Sequence, residues 1–338
     1  MYKILCFLFF AFLICSCEKE EGNGLLKKFS GSFLYTKLTQ SGFEIFVLNQ
    51  MEDQQITNSP QGITTPEWFP DGEKILYLSS DIKGGSLHVI NPDGTGDISV
   101  YKIGETGTGS FYFPRSYLSP DGRKVLVSRP DSLFLLTVTK EFEVQKVKSL
   151  RCKTSLSYVG WAPDSKRFSC RCEGDNSISH LWLYDMESDS FQNLTPQFSY
   201  HVARQSWSYQ SDKIAFSAQQ DIFIANCDGS GVYNLTNSHQ FGESTMAFSP
   251  VDNQLAYQRS DSLFDLVIYD FNTNETEVLV NDKDYISDPI LWIEEGKYIS
   301  YASGKKLFQE DGYYLFDLSA KKTLTIIDEE ISHVDWID

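Results

Sequence analysis

Past an apolar opening stretch, hydrophobic and polar positions alternate in short runs, and no segment shows the three-and-four spacing of an amphipathic helix. Residues 75–78, 125–128 and 214–217 are runs of β-branched, aromatic or aliphatic residues, and each predicts a strand. A further strand follows each, at 87–90, 133–137 and 222–225, with equivalents at 181–185, 266–270 and 313–317. Between them lie turn clusters rich in Pro, Asp, Gly and Asn, which set φ or tolerate positive φ. The expectation is an all-β chain.

These pieces recur with a period. Trp68-Phe69-Pro70-Asp71-Gly72 is the clearest copy, followed by Leu118-Ser119-Pro120-Asp121-Gly122 and Trp161-Ala162-Pro163-Asp164-Ser165. Trp207-Ser208-Tyr209-Gln210-Ser211 and Phe248-Ser249-Pro250-Val251-Asp252 continue the series. Trp292-Ile293-Glu294-Glu295-Gly296 is degenerate but in step, and His333-Val334-Asp335-Trp336 starts a seventh copy. The lead positions 68, 118, 161, 207, 248, 292 and 336 are separated by 50, 43, 46, 41, 44 and 44 residues. A strand ending at the lead residue, a tight turn, two more strands and a fourth closing on Asn-Leu-Thr (193–195, 234–236) make one unit. Four short strands at such a period are the mark of a propeller blade, which cannot bury both faces without neighbours.

The segment 30–58 holds three strands and no lead motif, at 32–37, 43–49 and 54–57, whereas 333–338 is a lone first strand. Joining them predicts a composite blade, hence a seven-bladed β-propeller of four-stranded antiparallel blades, the C-terminal strand closing the ring and removing its free edges. A six-bladed ring would follow only if the copy at Trp292 were not a blade.

The aromatic-Ser-Pro-Asp-Gly-Lys pattern, with Asp-Gly and Leu-Thr further on, resembles the PD40 repeats of the TolB-like propeller family over nearly all of residues 30–338. The resemblance implies the fold. It does not carry a partner across, because TolB itself has six blades and a separate N-terminal α/β domain. Propeller lyases acting on oligogalacturonates resemble this architecture too, with a metal held by histidines.

The opening stretch has its own reading. Lys3 precedes an apolar run over 4–14, which is signal-peptide length and too short to span a bilayer. Ile14-Cys15-Ser16-Cys17 resembles the lipobox of bacterial lipoproteins, with Cys17 as the lipidated residue. Glu18-Lys19-Glu20-Glu21 resembles the surface-export signal of Bacteroidetes lipoproteins and reads equally well as a solvated linker. The expected organisation is a signal peptide over 1–16, a lipidated tether over 17–28 and a propeller over 29–338, anchored in the outer membrane.

Charge narrows the partners. The net charge is −17, or −18 once Lys3 leaves with the signal, so nucleic acid and anionic head groups are repelled. Of the cysteines left after processing, Cys152, Cys170, Cys172 and Cys227, a bridge from Cys152 to Cys170 or Cys172 is one option and free buried thiols the preferred one.

No Gly-x-Ser-x-Gly elbow and no zinc-type Cys spacing occur, so no catalytic residue, metal or cofactor is expected. His201 and His239 lie in corresponding loops of adjacent repeats and are the one pair to consider for a metal; exposed loop histidines are the plain reading. The Asp-Gly loops at 93–96 and 228–231 read as hairpin turns, lacking the spacing of a calcium loop.

Binding has more support. The long loops between units carry Phe111, Tyr112 and Arg115; Tyr200, His201 and Arg204; His239 and Phe241; and Tyr285. Aromatic residues and Arg on loops are the side chains that dominate recognition hot spots. The chain is therefore expected to be a monomeric binding or scaffold lipoprotein with a cell-envelope protein or glycan as partner; the alternative is a propeller enzyme of the lyase type.

Overall fold

The computed structural model describes residues 31–49, 52–59, 62–81, 84–104, 114–129, 132–150, 157–173, 177–238, 240–282, 284–304, 312–329 and 331–337. The expected signal peptide, Cys17, the tether, Phe111, Tyr112 and His239 lie outside them.

The described residues form seven sheets of four antiparallel strands each and no helix. Blades 1 to 6 each take four successive strands. Their innermost strands are Gly62–Trp68, Arg115–Leu118, Ser157–Trp161, Gln205–Trp207, Gly242–Phe248 and Tyr285–Ile293. Blade 7 is composite: His333–Ile337 is its innermost strand, hydrogen-bonded to Ser32–Thr39, then Gly42–Asn49 and Glu52–Gln55. The register pairs Phe33 with Trp336 and Tyr35 with Val334. Each innermost strand touches the next around the ring, including the contacts of His333–Ile337 with both Gly62–Trp68 and Tyr285–Ile293. The seven-blade expectation holds.

The outermost strand of blade 7 ends at Gln55, two residues earlier than its sequence pattern suggests. Ile56 and Thr57 instead do the work of the Leu-Thr signature. Ile56 is buried, and Thr57 Oγ1 accepts the Ile45 amide at 2.8 Å. Thr195 accepts the Leu181 amide and Thr236 the Ile222 amide in the same way, each at 3.0 Å. The threonine thus satisfies a third-strand N–H where the fourth strand leaves the ladder, and an unsatisfied buried amide would cost about 1–3 kcal/mol.

The Pro-Asp-Gly carboxylates are turn elements. Asp71, Asp121 and Asp164 each accept the amide two residues on, at 2.8–3.1 Å. Gly72 and Gly122 take φ of 71° and 68°, and Ser165 and Ser211 occupy the same left-handed position at 56° and 59°. The serines have a reason to be there. Ser165 Oγ accepts the Asp121 amide of the preceding blade at 3.0 Å, and Ser211 Oγ accepts that of Asp164 at 3.1 Å. Ser165→Ala should therefore lower stability by about 1 kcal/mol, because the strain stays and the acceptor goes. Ser165→Gly should be close to neutral, since relief of strain offsets the lost bond; paired thermal melts read the difference.

Blade-to-blade locks also form at the lead position. The indoles of Trp161, Trp207 and Trp292 donate to the carbonyls of Tyr117, Gly160 and Ala247 in the preceding blade, at 2.9–3.0 Å. Elsewhere a side chain just before the lead residue accepts the next blade's lead amide. Asp335 takes Trp68 N–H at 2.8 Å, Ser206 takes Phe248 N–H at 3.0 Å, and Glu67 takes Leu118 N–H. Apolar clusters fill the seams between sheets, such as Phe33, Tyr313 and Leu315 between blades 6 and 7.

Cysteine chemistry departs from the preferred reading at one residue. Cys170 and Cys227 are free and buried, and burial pushes each thiol up to about 12. Cys172, by contrast, is disulfide-bonded, to a partner outside the described residues. A disulfide is the chemistry of an oxidising compartment.

Candidate functional site at the loop end of the channel

The innermost strands enter from the long loops and leave through the Pro-Asp-Gly turns, so each carries a loop end and a turn end. Three residues before each lead position stand Thr65, Arg115, Tyr158, Arg204, Thr245, Pro289 and His333. Four of these, Thr65, Arg115, Pro289 and His333, line a cavity of about 490 Å³ at the loop end of the axis, with Thr36, Phe43, Ile63 and Ser332. Tyr158 and Thr245 stand at the same count on the strands of blades 3 and 5, and Arg204 one residue before the strand of blade 4.

The backbone is irregular at this level. The ladders of blades 1, 3, 5 and 6 shift register just before the lead residue. Thr65 and Tyr158 take left-handed φ of 44° and 48°. Bulges of this kind re-aim side chains and are common beside binding sites.

His333 lies deep in the ring yet touches the cavity. Burial drives its imidazole down to about 4, and the positive charge of Arg115 adds to the effect, whereas a hydrogen bond to the Pro66 carbonyl opposes it. The ring is therefore neutral near pH 7, with one nitrogen donating to Pro66. Arg115 is exposed, and its guanidinium has no ion-pair or hydrogen-bond partner among the described residues. Thr65 and Ser116 share a hydroxyl contact of 2.9 Å, and Thr36 and Ser332 one of 2.6 Å.

The turn end of the channel differs. Glu67, Tyr117 and Asp335, each one residue before a lead position, line a second cavity of about 330 Å³. Burial raises Asp335 to about 6, and burial together with the charge of Asp335 raises Glu67 well above the usual carboxylate range. Amide donors to each carboxylate pull the other way.

The remaining loop residues are dispersed. Tyr200 is exposed. His201 is exposed too, and its Nδ1 takes the Ser179 amide at 3.2 Å. Phe198 of the same loop folds back onto Phe216 and Phe223. Phe241 is half-buried under the Arg259 guanidinium, 4.5 Å from ring centroid to Cζ. Arg259 in turn holds Asp265 through Nε and Nη2, at 3.0 and 2.6 Å. Beside them burial lifts Glu243 to about 7, against hydroxyl donors on Ser238 and Thr236. Tyr285 packs edge-on against Phe264 at 4.9 Å. Among the described residues no three His, Cys, Asp or Glu side chains gather as a metal site.

The structure thus joins Arg115 to His333, Thr65 and Phe43, none of which loop composition points to. Counting three residues back from each lead position would have found Thr65, Arg115, Pro289 and His333.

No family model matches the chain. An uncharacterized protein of Agrobacterium fabrum, Atu1656, is 26% identical over 252 residues, which cover 68% of this chain and 80% of that one. Among solved structures, TolB from Acinetobacter baumannii superposes with a TM-score of 0.55 at 16% identity, over 91% of this chain and 67% of that chain. Oligogalacturonate lyase from Vibrio parahaemolyticus gives 0.62 at 12% identity, over 87% and 84%. With its PD40-type repeats, closed ring and these likenesses, the chain has the fold of a TolB-like β-propeller, in a seven-bladed form.

Proposed function

We propose that this protein is a lipid-anchored binding module of the bacterial outer membrane, engaging an envelope protein or glycan at the loop end of its propeller. The carrying observation is the cavity to which blades 1, 2, 6 and 7 all contribute, with Phe43 (40% exposed) at its edge. Tyr158 and Tyr200, exposed at 41% and 47%, extend the loop face. The disulfide at Cys172 and the likeness to TolB support an envelope location. Cys17 is the anchoring residue in this reading, with two or three acyl chains giving stable attachment.

The test is capture from detergent-solubilised envelope of the parent cell. Tyr200→Ala combined with Arg204→Ala on the loop face should reduce capture at least tenfold, and Asp71→Ala on the turn face should not. Equal capture by both variants would remove the loop-face assignment. Cys17→Ser should in parallel move the protein from the membrane to the soluble fraction.

A second reading, an enzyme cleaving acidic oligosaccharides, is favoured only by the fold it shares with oligogalacturonate lyase. Appearance of an ultraviolet-absorbing unsaturated product from polygalacturonate and manganese would establish it.

A further inference from the structure

We propose that the loop-end cavity captures the terminal carboxylate of a peptide whose last side chain is apolar, with Arg115 as the carboxylate anchor and His333 beside it as a hydrogen-bonding partner. The inference rests on the binding reading above and names the chemistry of that site.

The charge argument comes first. The protein carries −17, yet Arg115 stands at this cavity with no acid paired to it among the described residues. A single free guanidinium offers two parallel N–H donors, the geometry that matches one carboxylate. Among the described residues Arg115 is the only charged side chain lining the cavity. A polyanion is disfavoured, because a chain of charges extending beyond the cavity would meet a strongly negative protein. A phosphate dianion would be left under-neutralised by one cation.

The hydrogen-bond inventory fits a peptide end. His333 is neutral and spends one nitrogen on the Pro66 carbonyl, which leaves the other as an acceptor. An acceptor beside a carboxylate anchor suits a ligand with an N–H donor near its acid group, as the last amide of a peptide has. The hydroxyls of Thr36 and Ser332, bonded to each other at 2.6 Å, stand at the same cavity.

The apolar lining fits a side chain. Ile63, Phe43, Val334 and Pro289 are among the lining residues, and Leu38, paired with Phe43 across the hairpin, is 64% exposed. A cavity of about 490 Å³ holds one or two residues of an extended chain.

The experiment is an NMR titration of the whole chain with N-acetyl-leucine and with its amide, N-acetyl-leucinamide. The acid should bind with a Kd of order 1 mM, and the neutral amide at least tenfold more weakly. Arg115→Gln should remove that preference and leave the melting temperature within about 2 °C of wild type, as expected for an exposed side chain. Galacturonate and inorganic phosphate are the competing anions, and both should bind at least tenfold more weakly than N-acetyl-leucine. Equal binding of acid and amide by the wild-type protein overturns the proposal, whether or not the variant folds. So does galacturonate or phosphate matching N-acetyl-leucine, the first pointing to an acidic sugar. Loss of these small-molecule signals alongside intact loop-face capture of an envelope partner would sink this inference alone.

Discussion

Removal of residues 333–338 should leave a chain that does not reach a stable fold. The strand His333–Ile337 is the inner edge of blade 7, and its loss would expose the ladder of Ser32–Thr39 from Ser32 to Thr36. It would uncover Phe33, whose ring lies 4.5 Å from that of Trp336, and free the Trp68 amide from Asp335. The contacts to blades 1 and 6 would go at the same time. Trp336→Ala alone should cost about 3–5 kcal/mol, against a total stability of about 5–15 kcal/mol for a typical domain. The truncation removes that side chain and the ladder together. Soluble yield, the thermal transition and elution volume provide the readout. A truncated chain that stays monomeric and melts within about 5 °C of the full chain would show that ring closure is dispensable. A synthetic peptide of residues 333–338 added during refolding should restore part of the transition.

The second large effect is a pair of opposite pH responses on that same strand. His333 has a folded-state pKa near 4 against 6.5 for a free imidazole. In the folded protein it resists protonation, so stability is full above pH 6.5 and is lost as pH falls toward 4. Asp335 is displaced the other way, to about 6 from 3.8. It resists ionisation, so stability is full below pH 3.8 and is lost as pH rises toward 6. Each shift of about two units corresponds to roughly 3 kcal/mol. The two responses run over the same interval with opposite sign and nearly cancel in the wild-type chain. Single substitutions expose them. Relative to wild type, Asp335→Asn should gain stability as pH rises from 4 to 7, by about 5–8 °C in melting temperature. The asparagine oxygen still accepts the Trp68 amide. His333→Gln should show its gain at pH 4 and lose it by pH 7. Parallel melting curves against pH for wild type and both variants would mean that neither group is displaced.

Much of the architecture was legible because a propeller writes its period into the chain. The lead aromatics fill the seams, the Pro-Asp-Gly turns need fixed φ, and Leu-Thr closes the fourth strand, so each repeat carries a physical requirement at a fixed spacing. The composite blade was readable for the same reason: a first strand at one end and three strands at the other complete one unit. The candidate site was less legible. Loop composition picked out Arg115, and also Arg204, which likewise stands three residues before its lead position. It missed His333, Thr65 and Pro289, since their role depends on convergence of separate strands at one axis. It also overweighted aromatics that serve local packing. Phe198 folds inward, Phe241 supports Arg259, and Tyr285 packs on Phe264. The sequence left Cys172 open between a bridge and a free thiol and preferred the thiol, since spacing along the chain does not show which cysteines the fold brings together; it is disulfide-bonded.

The variety of locks between neighbouring blades has a consequence for how so repetitive a chain avoids self-confusion. Seven look-alike units could in principle dock in the wrong order. Here an indole meets a carbonyl at the seams entering blades 3, 4 and 6, a serine meets an amide at the seam entering blade 5, and carboxylates do so at those entering blades 1 and 2. A misplaced neighbour would leave a buried donor or acceptor unanswered, at a few kcal/mol per fault. The seams act as keyed joints of three kinds, so a unit cut for one kind leaves its polar group unanswered at a joint of another.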